Sequence, residues 1–209
     1  MGAFTPERNA GEQSQARTPR ITWCGPWVSM SGVETDGGQM DGNILAFSTY
    51  TDDEYGYSLA CPTDWTIERD SDSGAAFEAP RSSAGAVVFV EESGLTAEAS
   101  VVAFLADLAD DEHVHALDVV ARRETRLKTG QTGWVIEFAY VGDSHERWRL
   151  AYLFVAVEST GYTVGIDWND AVDFETVAAR IVESFAVEEN RLNERKQPRK
   201  KDENQQYYR

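Results

Sequence analysis

The stretch Tyr50–Glu68, YTDDEYGYSLACPTDWTIE, decides how the chain is read. Its centre, YGYSLACP, has the composition of a short strand. Pro62 has no N–H to donate, so it stops strand pairing at that point. Tyr57 and Trp65 are large, mostly apolar groups expected to cap the end of a core. The competing reading of these two side chains is an exposed aromatic platform for a ligand.

Working outward, ILAFSTY before this stretch reads as a first strand and YGYSLACP as a second. The DSDSG of Asp70–Gly74 is turn chemistry, and AAFEAP and GAVVFVEES supply two more strands. A helix is expected from Thr96, an N-cap with Glu98 in the first turn, and Val101, Phe104, Leu105 and Leu108 mark its apolar stripe. Four strand-like runs follow: ALDVVARRETRL, QTGWVIEFAYV, RWRLAYLFVAVE and GYTVGIDW. Their separators TGQTG, GDSHE and STG have hairpin length, which predicts an antiparallel meander. A last helix is expected from about Asp170, with Phe174, Val177, Ala178, Ile181, Val182 and Phe185 on one side. The order is four strands, a helix, four strands and a helix, so the expected class is α+β, with each helix on one face of a largely antiparallel sheet. Val135, Phe138, Tyr140, Tyr152 and Phe154 are the expected sheet side of its core.

Residues 1–40 show neither helical nor strand periodicity and read as a disordered N-terminal segment, with Met30 and Met40 as alternative initiators. Residues 41–187 form the expected domain, and 188–209 a charged tail. The full chain carries a net charge of −17, and residues 21–187 hold 29 acidic against 9 basic groups. Such an excess costs stability by self-repulsion at low salt, and salt screens that cost. With only four Lys against 15 Arg, the composition reads as that of a halophilic protein. An acidic body also disfavours nucleic acid and anionic lipid as partners. No apolar run is long enough to span a bilayer, and the N-terminus lacks the apolar core of a secretory signal, so a cytoplasmic location is expected.

The aromatic-Gly-aromatic-Ser run Tyr55, Gly56, Tyr57, Ser58, followed by Pro62 and Trp65, resembles the opening motif of the PsbP-like family. A YTVGID strand and a helix closing on Glu183, Ser184 and Phe185 fit the end of that family's domain. The resemblance covers about residues 45–187. It implies an α-β-α sandwich around an antiparallel sheet, a fold shared with the Ran-binding Mog import factor. It also implies mostly non-catalytic roles as accessory subunits, lipoproteins or protein-binding modules. Cys61 departs from the pattern, which usually places an aromatic before the proline, and the lipoprotein signal of many relatives is missing. The resemblance brings no catalytic residue set with it.

Several motifs suggest chemistry without the context it requires. WCGPW at Trp23–Trp27 is one residue from a thioredoxin motif. Trp27 replaces the resolving cysteine, however, and Gly- and Ser-containing VSMSG stands where the helix should begin. Without an export signal, a bridge between Cys24 and Cys61 is disfavoured, and Cys61 reads as a small buried hydrophobe. GYSLA imitates a nucleophile elbow, yet Ser58 lies mid-strand rather than on a strand-to-helix turn. DSDSG is too short for a calcium loop. His113 and His115, with His145 as a third ligand, form the candidate metal set, against the simpler reading of an exposed acidic loop. The basic run Arg195, Lys196, Arg199, Lys200, Lys201 is diluted by acids. The expected function is a non-enzymatic accessory or protein-binding domain with an unidentified protein partner, no cofactor and no membrane span. The alternative is a small-ligand or metal-binding module built on Tyr57, Trp65 or the His pair.

Overall fold

A computed structural model describes residues 45–70, 74–80, 84–142 and 145–188. WCGPW, Cys24, the basic run after Glu188, the expected segment 1–40 and all of the expected tail but Glu188 lie outside these residues.

The elements in chain order are β1 (Phe47–Asp52), β2 (Tyr57–Pro62), β3 (Thr66–Asp70), β4 (Gly74–Glu78), β5 (Ala84–Glu92), α1 (Ala97–Ala109), β6 (His115–Arg126), β7 (Thr132–Val141), β8 (Arg147–Val157), β9 (Thr160–Asn169), α2 (Glu175–Ser184) and β10 (Ala186–Val187). Seven strands form one sheet in the order β3-β4-β5-β9-β8-β7-β6, and β1-β2-β10 form a second, small one. Every pairing is antiparallel. The four-strand meander expected from the turn spacing is present as β6–β9.

Period-two alternation divides the large sheet into two faces. Ile136, Phe138, Tyr140, Leu150, Tyr152 and Phe154 face α1 and pack on Val101, Phe104 and Leu108. Val135, Leu153, Val155, Val164, Ile166 and Trp168 face the other way, in the same core cluster as α2 and the small sheet. The result is an α-β-α sandwich, as expected. One expected core residue, Val135, points to the α2 side while its companions point to α1.

Thr96 caps α1 as its sequence suggests: Ala99 N–H donates to Oγ1 at 3.2 Å, a contact worth about 1 kcal/mol. α2 starts at Glu175 rather than near Asp170, because β9 runs on to Asn169 and Asn169 Oδ1 then accepts Ala171 N–H to form a turn. β3 and β10 have no counterpart in the sequence reading. β3 is the run TIERD, exposed over Thr66–Arg69 and without apolar alternation, and it pairs with β4 from Thr66 opposite Glu78 to Asp70 opposite Gly74. Across the sheet centre Gly165 lies opposite Tyr152, and a Cβ there would stand 2.7 Å from the Tyr152 ring. The missing side chain lets that ring lie against the strand and reach Phe104, 4.7 Å away between centroids.

Among the described residues, each helical layer covers only part of its face. α1 contacts β7 and β8, which leaves the β3–β5 half open on that side. On the opposite face α2 and the small sheet leave β6 and β7 open, and the two candidate sites occupy these open halves.

Candidate functional site

The larger space is a groove of about 430 Å³ between α2 and strands β6, β7 and β8. Its apolar lining comes from Val120, Val135, Ala151, Ala178 and Val182. The alanines at 151, 178 and 179 are the local cause of the space, since larger side chains there would fill it. Four of its five charged lining residues are paired. Arg123 Nη1 donates to Glu137 Oε1 at 2.6 Å, and Arg149 Nε donates to Asp170 Oδ1 at 2.8 Å while also binding Glu175. Arg147 Nε lies 3.4 Å from Asp170 Oδ2. Pairs this exposed add little stability; they fix where the guanidiniums stand.

The second space is a shallow cleft of about 60 Å³ on the α1 side. Thr66, Glu78, Gly85 and Asp167 form one cross-strand row in it, and Trp148 lines it from β8. Gly85 leaves the position beside Asp167 without a side chain; a Cβ there would meet Asp167 Oδ1 at 3.4 Å. Burial pushes the Asp167 carboxyl up to about 6. Tyr140 is raised first by its own burial and then by the nearby Asp167 and Asp111 charges.

Tyr57 and Trp65, the aromatics singled out from the sequence, are core residues with 0% and 8% exposure. Trp65 stacks on Phe174 with centroids 5.7 Å apart and planes at 13°. Tyr57 packs on Phe185 at 5.8 Å, and its hydroxyl is buried with no hydrogen-bond partner among the described residues. His113 and His115 are exposed beyond α1; His113 Nε2 is 3.9 Å from Glu112, and its N–H donates to Asp111 Oδ1. His145 sits in the β7–β8 turn at φ 64°. Among the described residues no three His, Cys, Asp or Glu side chains are grouped to hold a metal. Ser58 lies within β2, paired with Thr51 and Ala186. Cys61 is buried, its thiol pushed up to about 11 by desolvation and then by Asp64.

The sequence reading did not find Asp167 or the groove. Of the nine basic residues in 21–187, only Arg123 and Arg149 line the groove, so the charge pattern gave little signal for it. Asp167 carried none, since one Asp in a strand-like run reads as an outward-facing position.

No helix among the described residues is long and apolar enough to cross a membrane. No family model matches the chain, and no curated protein matches it by sequence. Solved structures do match by shape. Cyanobacterial PsbP from Synechocystis sp. PCC 6803 aligns with a TM-score of 0.54 at 13% identity, covering 72% of this chain and 98% of that one. The Ran-binding protein Mog1p of Saccharomyces cerevisiae aligns with a TM-score of 0.50 at 9% identity, covering 68% of this chain and 96% of that one. At such identities the likeness concerns the fold, which is PsbP-like.

Proposed function

We propose that this chain is a non-enzymatic, protein-binding accessory domain and that its partner surface is the groove between α2 and β6–β8. The observation that carries the reading is the groove itself, an apolar floor with a rim of fixed charges, the usual anatomy of a protein interface. Its outer lip is exposed, Val120 by 58%, so a macromolecular segment can enter from the side. The fold neighbours favour the same class: one is named as a Ran-binding protein. The acidic excess suits a protein working in a high-salt cytoplasm, where screening relieves its self-repulsion.

Ala179 provides the test, because it lines the groove from the exposed side of α2 and can be enlarged without touching the core. Affinity capture in molar salt is expected to recover a specific partner with the wild-type chain and to lose it with Ala179→Trp. Equal capture by both, or no partner at all, contradicts the proposal.

A second reading, small-ligand binding in the α1-side cleft, is favoured by Asp167 standing beside Trp148 there. A ligand that changes Trp148 emission in the wild type but not in Asp167→Asn would support it.

A further inference from the structure

β6 ends the seven-stranded sheet, and β7 is the only strand it pairs with among the described residues. An unpaired strand edge offers its backbone N–H and C=O groups to any extended segment that reaches it, and folded proteins usually block such edges with bulges or outstanding charges. Here the two halves of β6 differ. Between His115 and Ala121 the register shifts twice, which spoils the edge as a template. From Ala121 to Arg126 the register against Glu137–Thr132 is unbroken.

Two of the three arginines of this regular half, Arg122 and Arg123, do not guard it. Arg122 lies 4.9 Å over the Trp134 ring of β7, and its Nη2 donates to Glu98 on α1 at 3.3 Å. Arg123 reaches Glu137, also on β7. Both guanidiniums therefore fold back over the sheet, away from its outer side. Arg126 makes no ion pair among the described residues, and Lys128 follows in the turn. Four of the nine basic groups in 21–187 thus lie within residues 122–128, with Glu124 the one acid among them, on an otherwise acidic body.

The two sides of this edge also differ in chemistry. Arg123 and the exposed Val120 lie at the lip of the α2-side groove, whereas Arg122 turns to the α1 side, the side that Arg126 shares by strand alternation. The geometry points to β6, over Ala121–Arg126, as a docking edge for an extended partner segment that alternates apolar and acidic residues. The partner adds a strand to the sheet. Its apolar side chains turn into the groove beside Val120, and a carboxylate meets Arg126 on the other side. Elsewhere the acidic body repels such a segment, so the run of basic groups also selects its place. At molar salt the Debye length shrinks to about 3 Å, and only carboxylates in direct contact with a guanidinium still contribute. This inference rests on the protein-binding reading given above and specifies the partner chemistry of that surface.

The test uses the full chain and two blocked ten-residue peptides, one alternating valine with glutamate and the other valine with lysine. Binding is followed by titration and by amide hydrogen exchange. The Val-Glu peptide is expected to slow exchange within Ala121–Arg126 and to bind at least about tenfold more tightly than the Val-Lys peptide. Arg126→Glu is expected to weaken the Val-Glu peptide, and Arg122→Glu combined with Arg126→Glu to reverse the preference; near-ultraviolet dichroism checks that both variants remain folded. Equal binding of the two peptides, or no added protection in Ala121–Arg126, overturns the inference. If the peptides fail while a captured partner still depends on Ala179, the edge proposal falls and the protein-binding reading stands. If neither binds, both fall.

Discussion

Arg69 on β3 holds Asp52 at the end of β1, with Nε 3.1 Å from Oδ2, and this contact ties the small sheet to the edge of the large one. Asp52 is 2% exposed, and its Oδ1 also accepts the backbone N–H groups of Glu54 and Tyr55. Arg69 reaches on to Glu54 at 2.5 Å. Asp52→Ala leaves a guanidinium and two turn N–H groups without this acceptor. A loss of about 2–3 kcal/mol is expected in denaturant titration, reduced from the buried-pair range because Arg69 is half exposed. Asp52→Asn keeps the turn acceptor and is expected to lose about half of that.

Trp65 is expected to matter for stability rather than for binding. Its stacking on Phe174 fills the end of the core, so Trp65→Ala is expected to cost about 3–5 kcal/mol. Tyr57→Phe is expected to change stability by less than about 1 kcal/mol, since the hydroxyl it removes has no well-formed hydrogen bond among the described residues. Unfolding midpoints of the two variants check both values.

Asp167 gives the fold a defined pH dependence. Burial raises its carboxyl from 3.8 to about 6, so the folded state holds this proton more tightly than the unfolded chain. Its stabilising contribution is full below about pH 4 and is lost as pH rises through about 6. Above that range Asp167→Asn is expected to be more stable than wild type by about 1–2 kcal/mol, with the difference closing as pH falls to about 4. Melting of both proteins across this interval checks the sign.

The net charge of −17 predicts a salt requirement. Moving from molar to millimolar salt is expected to loosen the chain, seen as lost near-ultraviolet dichroism and a lower melting midpoint. Unchanged spectra across that range would remove the halophilic reading.

Much of the sandwich was legible because its signals are local. Thr96 and the 101–104–108 stripe specify α1, and the hairpin-length turns specify the meander. β3 was not legible because Thr66, Glu68 and Arg69 are exposed and show no apolar alternation. The start of α2 lies later than expected because the apolar spacing does not mark where a helix begins, and Asn169 closes a turn before Glu175. The open halves of the sheet follow from where the helices land, which depends on packing across the whole sheet. Tyr57 and Trp65 were weighed as a ligand platform because an aromatic cluster looks the same in sequence whether it faces solvent or core.

The central claim is that a protein partner sits against α2 and the β6–β8 half of the sheet. Amide hydrogen exchange of the wild-type chain, free and with its captured partner in molar salt, tests this most directly. The account predicts slowed exchange along Glu175–Ser184 and Ala121–Arg126, with β3–β5 unchanged. Protection confined to β3–β5 and the Asp167 cleft, or no protection anywhere, would contradict it.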